Sequence, residues 1–414
     1  MKMSRLEDVV RGVVENDNCT GCGGCSLISD RIDMSLDSSG FSRPQVAAAT
    51  DATADSSEAR VFSRVCPGVR LAAPRAETGR EHPTFGRYVS AWRAHALDPD
   101  IRRLGSSGGV LTALSAWLIE SGRTESVVGS RAGEQSPNRT VPVRIMSRDE
   151  ALSSAGSRYG PVSNLTEYSP DAAVNALVGK PCEVSAAAQY HDHLKTPAAD
   201  RPIALAFFCA GTPSQAATDT LVADMGADLE DVVSLRYRGD GWPGEFKVTL
   251  GDGTSRAMSY EDSWGKHLGR DLQWRCKLCP DGTGAHADIA VGDFWDADDD
   301  GFPVFEEQEG ISVAIARNKR GHQLLLEAAR AGVVVLDELE LDLDEVADVQ
   351  PLQVKRRKLL LGRLVGRLAA GKRIPTYSGY HLVRNAAREW KATYREARGT
   401  RHRTMNDTTP KRTP

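Results

Sequence analysis

The 414-residue chain has no apolar run long enough to cross a bilayer. Its longest, such as Ile203 to Ala210, fall far short of the roughly 18–20 residues a membrane helix needs. The first residues, Met1 to Asp8, carry no apolar signal core, which predicts a cytoplasmic protein. No internal repeat is evident. No Gly-Lys-Ser/Thr follows a glycine-rich loop and no spaced G-x-G-x-x-G occurs, so neither a Walker site nor a Rossmann nicotinamide site has support. Cysteine is sparse at eight residues, which excludes a disulfide scaffold. With 40% hydrophobic and 26% charged residues, the chain is neither disordered nor collagen-like. It can build one large domain or two to three smaller ones.

The formal charge of −4 hides a polarity. Leu352 to Pro414 carries 17 Lys/Arg against 3 Asp/Glu, or +14, and the preceding residues carry −18. A basic tail suits nucleic acid or an anionic surface in principle. Here Lys355, Arg356, Arg357, Lys358, Arg363, Arg367, Lys372 and Arg373 interleave with Leu359, Leu360, Leu361, Leu364, Val365 and Leu368 at helical spacing. A second stripe, Val383, Ala387, Trp390 and Tyr394, does the same. The pattern predicts amphipathic helices docked on the acidic body. No nucleic acid is expected, and contact with a membrane surface or an acidic partner is the secondary reading.

In a reducing compartment, closely spaced cysteines indicate metal or redox chemistry. Cys19, Cys22 and Cys25 form Cys-x2-Cys-x2-Cys, with Thr20, Gly21, Gly23 and Gly24 between the thiols. Such small residues let the backbone curl round a compact inorganic core, and Cys66-Pro67 supplies the remote fourth ligand that bacterial ferredoxins use. A [4Fe–4S] cluster is the expectation, with tetrahedral zinc the alternative. Cys276-x2-Cys279 is a chelating pair, silent on the metal. Cys182 and Cys209 each follow a strand-like run, Ala176–Val178 and Ala204–Phe208. Strand ends are where α/β folds place functional groups, though by spacing alone these two read as ordinary buried cysteines.

Gly105-Ser106-Ser107-Gly108-Gly109 precedes a helix expected from Val110 to Glu120, and could seat a phosphate or serve as a plain serine cap. Asp296, Asp298, Asp300, Gly301 and Glu307 satisfy the EF-hand pattern. However, Ile289 to Trp295 reads as a strand where an entering helix is required, and Pro303 falls inside the loop, so a solvated acidic turn is expected. His191 and His193, beside Asp192, fit a metal site or surface residues at a helix end equally well. Trp264, Trp274 and Trp295 gather in sequence around Cys276 and Cys279, with core packing the default reading and shielding of a cofactor the alternative. The organisation expected is a cluster-bearing module over residues 1–75, a linker from Pro74 to Pro83, and an α/β segment over 85–335 with strands at Val89–Ala94 and Ser126–Gly129. A basic helical region over 352–399 and a disordered tail over 400–414 complete the chain.

Several motifs occur in order: Ser106-Ser107-Gly108-Gly109, Gly156-Ser157-Arg158-Tyr159-Gly160-Pro161, Gly179-Lys180-Pro181-Cys182, Phe207 to Ser214, Arg236 to Gly244, Arg275 to Asp281, and Ala287-Asp288-Ile289 with Gly292 to Trp295. Together they resemble the coenzyme F420 hydrogenase/dehydrogenase beta-subunit family of iron–sulfur flavoproteins, over roughly Cys19 to Gly332. The resemblance implies a mixed α/β (α+β) fold: an N-terminal ferredoxin-like iron–sulfur module, a flavin-binding α/β domain, then C-terminal helices. It implies FAD, and a second [4Fe–4S] cluster on Cys182, Cys209, Cys276 and Cys279. By matching position, Ser106, Ser107, Gly108, Gly109 and Thr112 would cradle the flavin phosphates, with Arg158, Tyr159 and Lys180 nearby. The implied activity is a flavin- and iron–sulfur-dependent oxidoreductase with a deazaflavin or ferredoxin as partner. The alternatives are an electron-transfer subunit docked on a larger redox enzyme, or a ferredoxin-dependent reductase of an organic substrate. His95, Tyr159 and Lys180 are unranked candidates for a proton donor. Two departures stand out: Lys180 and Glu183 replace residues of a Gly-Thr-Pro-Cys-Gln pattern, and Asp240 adds an acid where a neutral or basic residue is expected, disfavouring an anionic deazaflavin tail.

Overall fold

The computed structural model describes residues 5–75, 77, 80–171, 175–295 and 308–406. The acidic EF-hand-like turn, Asp296 to Glu307, lies outside the described residues. At the N-terminus, helix α1 (Leu6–Glu15) and helix α2 (Ala52–Val65) flank an antiparallel pair of strands, Ile32–Leu36 and Ser42–Val46. Leu6, Val10, Val13 and Val14 recur at helical spacing on α1 and are buried, which gives that helix its inward face. Asp51 caps α2 by accepting from the Thr53 N–H. Leu6, Val10, Ile32, Ala59 and Phe62 form the small core here, with Cys19, Cys25 and Cys66 packed against it.

The centre is an eight-stranded mixed sheet. Its strands in chain order are β1 (Ser90–Ala96), β2 (Ser126–Ala132), β3 (Thr140–Ile145), β4 (Asn175–Gly179), β5 (Ala204–Phe207), β6 (Ile289–Asp293), β7 (Ser312–Ala316) and β8 (Val334–Leu336). Across the sheet they run β8-β1-β7-β6-β5-β4-β2-β3. The four central neighbours β2, β4, β5 and β6 are parallel, and the pairings outside them are antiparallel. Period-two alternation divides their side chains: Val127, Ala176, Leu205 and Ile289 face one core, while Val128, Leu177, Ala206 and Ala290 face another. Helix α3 (Val110–Glu120), with the bounds its sequence predicts, covers the first face through Val110, Ala113, Leu114 and Trp117. Helix α4 (Pro181–Leu194) covers the second through Val184, Ala186 and Ala187. The result is a helix–sheet–helix sandwich. A smaller antiparallel sheet, Val232–Arg236, Glu245–Leu250 and Ser255–Ser259, stands beside it.

The basic region folds back over the body. Helix α5 (Pro351–Ala369) buries Arg356, Arg357 and Arg367 together with Leu360 and Leu364, and helix α6 (Trp390–Met405) lies along it. Gly362 and Gly366 make that approach close enough that a Cβ at Gly362 would fall 2.5 Å from the Thr393 carbonyl oxygen. Between the two helices, strand Thr376–Ser378 pairs in parallel with Arg70–Ala72 of the N-terminal unit. Three expectations change. Thr400 to Met405 is helical rather than a loose tail, because Thr400 and Thr404 are buried on the inner side of α6. The Pro74–Pro83 linker contains a short strand, Glu81–His82, paired with Gly86–Arg87. His191 is buried, not on the surface: its ring lies 2.8 Å from the Tyr168 hydroxyl and 3.1 Å from the Thr196 hydroxyl. Among the described residues no helix is long and apolar enough to cross a membrane.

Candidate cofactor sites

The first site forms where α1 ends and the chain turns under α2. Gly21 and Gly23 take positive φ (+70° and +80°), which winds the segment so that its cysteines share one side. Cys19, Cys22, Cys25 and Cys66 line a cavity of ≈ 30 Å³ with Val10, Val13, Ile28, Met34, Phe62 and Ala186. No charged side chain lines it. The Gly24 N–H points at the Cys22 sulfur (3.4 Å), the kind of backbone donor that tunes cluster sulfurs. Burial, reinforced by the neighbouring thiols, holds Cys25 and Cys66 far above the usual thiol range. A bound metal cation would displace those protons.

The second site lies at the carboxyl edge of the parallel strands, where open α/β sheets place their ligands. Cys182 follows β4 by way of Lys180-Pro181, and Cys209 follows the adjacent β5, with Gly179 opposite Ala206 in register. The segment carrying Cys276 and Cys279 is laid against them by backbone bonds from Cys209 N–H to Gly282 and from Gln273 N–H to Thr212. The Thr212 N–H donates to the Cys276 sulfur (3.3 Å). Burial first, then Cys276, pushes the Cys209 thiol up to about 12, with Arg356 opposing. Cys182 and Cys279 are raised by the same burial. Three separate segments thus bring four thiols into mutual electrostatic reach. Among the described residues no three Cys, His, Asp or Glu side chains are drawn together tightly enough to hold a metal ion.

The two sites adjoin. Helix α4 starts at the second with Cys182 and, one turn on, presents Ala186 to the first cavity. A Cβ on Gly24 would meet Ala186 at 2.9 Å. Arg275, next to Cys276, donates to the Pro67 carbonyl (3.1 Å), next to Cys66. Lys180 is not free for a phosphate: its Nζ donates to Glu183 (2.6 Å) and to the Val162 carbonyl (3.0 Å), entirely buried. Beside the second site, the buried guanidiniums of Arg275 and Arg356 have no carboxylate partner among the described residues. Arg356 donates to the Cys209 and Ala210 carbonyls (2.7 Å each) and to the Gln353 side chain, and the Arg275 Nε has no hydrogen-bond partner among the described residues. Burying a cation without a counter-charge costs several kcal/mol, so this environment fits an anionic group held by the thiols.

The glycine–serine loop sits at the N-terminus of α3, with Gly109 at φ +73° as its cap. Ser106 reaches the Ser157 hydroxyl (2.5 Å), while Ser107 and the Gly108 N–H bond Ser312 (2.9 and 3.0 Å). Thr112 is half-buried one turn into the helix. Arg236 donates to the Leu104 carbonyl beside this loop (3.0 Å), and Arg238, ion-paired with Asp293 (2.7 Å), has a buried Nη2 without a hydrogen-bond partner. A cationic wall beside a helix N-terminus suits a phosphorylated ligand. Arg158 is turned away, onto the Pro137, Arg139 and Leu235 carbonyls. Tyr159 packs among Tyr237, Tyr260 and Trp264. Asp240 pairs with Arg236 (3.5 Å). His95, partly buried in β1, is held below its ordinary value by desolvation and then by Arg102. Arg236, Arg238, Arg275 and Arg356 were missing from the sequence-level site. The first three could have been found by their place inside the ordered motifs, whereas Arg356 had no local signal.

Comparison with known proteins matches the central region of the chain to one family. Residues 91–167 match the N-terminal part, and 174–342 the C-terminal part, of the coenzyme F420 hydrogenase/dehydrogenase beta subunit. The F420-dependent formate dehydrogenase 1 subunit beta of Methanococcus maripaludis is 27% identical over 246 residues, 58% of this chain and 59% of that one, so the match spans less than two thirds of that relative. The coenzyme F420 hydrogenase subunit beta of Methanococcus voltae is 25% identical over 306 residues, 70% of this chain and 99% of that one. In fold, the chain is similar to one in the F420-reducing [NiFe] hydrogenase complex from Methanosarcina barkeri, with a TM-score of 0.50 at 21% identity, covering 67% of this chain and 93% of that one. With both halves of its central region matched in order, the chain belongs to the coenzyme F420 hydrogenase/dehydrogenase beta-subunit family.

Proposed function

We propose that this protein is an iron–sulfur flavoprotein oxidoreductase that relays electrons between two [4Fe–4S] clusters and FAD, with a deazaflavin (coenzyme F420) or a ferredoxin as redox partner. The observation that carries the reading is the abutment of two cysteine quartets through α4 and Arg275. Clusters exchange single electrons and flavin exchanges pairs or a hydride, so together they couple one-electron carriers to two-electron chemistry.

The chain's own residues supply position and environment. Cys19, Cys22, Cys25 and Cys66 would hold one cluster in the largely apolar cavity. Cys182, Cys209, Cys276 and Cys279 would hold the other, with Arg275 and Arg356 as counter-charge. Ser106 to Gly109 would receive the flavin phosphates at the α3 N-terminus; Arg236 and Arg238, paired with Asp240 and Asp293, border the loop, and Lys180 is committed to Glu183. The test is anaerobic purification with iron, sulfide and flavin counts. About eight irons and one FAD per chain are expected, and a colourless preparation refutes the reading.

The matched relatives are named as subunits, which favours a second form of the same reading, an electron-transfer subunit without a small-molecule substrate of its own. Reduction of the purified single chain by reduced deazaflavin separates the two. Turnover supports the autonomous enzyme, and reduction only in the presence of a partner complex supports the subunit.

A further inference from the structure

Resting on the two-cluster reading, we propose that the clusters are held at unequal potentials, the Cys182/Cys209/Cys276/Cys279 site being the more positive because α5 inserts Arg356 beside it. Helix α5 lies beyond residue 342, where the matched family models end.

The charges around the two sites differ in kind. The first cavity is lined by aliphatic and aromatic side chains, thiols, Thr20, Met34 and glycines, with no charged group. Around the second, Lys180 is matched by Glu183 at 2.6 Å. Asp281 accepts from the Thr283 and Ala285 N–H groups and faces Arg317. Arg357 donates to the Pro83 and Pro280 carbonyls (3.4 and 2.6 Å) and pairs with no carboxylate among the described residues. Arg356 stands nearer the thiols: its guanidinium bonds the carbonyls of Cys209 itself and of Ala210, it likewise pairs with no carboxylate among the described residues, and its charge opposes the rise of the Cys209 and Cys279 thiols. Arg275 is a further unmatched cation; it acts on thiols of the same site but also bonds the Pro67 carbonyl beside Cys66, so it separates the two sites less cleanly. Guanidinium stays charged under all ordinary conditions. A fixed positive charge in a low-dielectric site favours the more negative state, and adding an electron makes a thiolate-ligated cluster more negative. The asymmetry therefore makes the second site the first to take up an electron from an external one-electron reductant.

The test is an anaerobic redox titration of the full chain followed by electron paramagnetic resonance. Two one-electron steps are expected, and C209S should remove the more positive one. R356Q should move that step to more negative potential and leave the other in place, while R356K, which keeps the charge, should sit near wild type. Where R356Q does not fold, R356K against C209S still assigns the order. Loss of the more negative step in C209S, or an R356Q chain with both steps unmoved, overturns this inference alone. A chain with fewer than eight irons overturns the two-cluster reading and this inference with it.

Discussion

The Arg275 guanidinium donates to the Pro67 carbonyl across 3.1 Å, joining the neighbour of Cys276 to the neighbour of Cys66. Its other face lies over the Tyr377 ring, 5.6 Å from the centroid. One buried side chain thus couples the N-terminal unit, the strand-edge site and the C-terminal return.

Replacing Arg275 with Met should loosen all three. A hydrogen bond from a charged donor contributes about 1.5–3 kcal/mol, so R275M should lower the melting temperature by several degrees and reduce retained iron. Thermal unfolding and iron assay on the same preparation check both effects. An unchanged melting point with full iron would show that the link is incidental.

Single cysteine variants should divide the metal content. C66S removes a ligand from the first cavity and C209S one from the second, and each should leave about half of the iron, with one resonance signal kept. Equal and total loss in both variants would mean that the sites assemble as one unit.

Gly366 fixes the seam between α5 and α6, since a Cβ there would collide with the Ala397 carbonyl. G366A should cost about 1–3 kcal/mol by overpacking. Because Arg363 of α5 pairs with Glu396 of α6 (3.1 Å), the variant should also expose the arginines of α6 to trypsin. Limited proteolysis with mass mapping reads this directly, and an intact C-terminus at wild-type protease resistance would count against it.

His191 makes stability pH-dependent. Burial, then Arg201, lowers its pKa to about 4 from 6.5. Since the unfolded chain binds the proton first, the stabilisation is complete above pH 6.5 and is lost as pH falls toward 4. The loss amounts to at most about 3 kcal/mol. H191Q should flatten that part of the profile in denaturant titrations between pH 7 and 4. A slope unchanged by the substitution would assign it to other groups.

What the sequence made legible followed from how local each signal is. Val110–Glu120 was readable because its apolar spacing and glycine start lie in one stretch, and the first cysteine group because three thiols fall within seven residues. The grouping of Cys182, Cys209 and the Cys276–Cys279 pair was not readable from spacing, because those segments approach only through strand register and a returning loop; it entered as an implication of the family resemblance. His191 was misread because one histidine beside an acid on a helix looks the same whether that face is wet or packed. Arg356 was read as part of a basic stripe, and its contact with Cys209 spans a separation of 147 residues. Lys180 was assigned to the flavin by position, but Glu183 one turn on claims it first.

The parallel pairing of Thr376–Ser378 with Arg70–Ala72 bears on the order of assembly. The N-terminal unit is synthesised well before its strand partner at Thr376–Ser378 and before Arg367, which pairs with Asp17 (2.8 Å). That unit therefore waits through most of translation with its far side uncovered. A cluster proposed for its cysteines would have that interval to assemble before the C-terminal return closes over them. A chain cut short near residue 350 would keep the central sheet and lose the clasp.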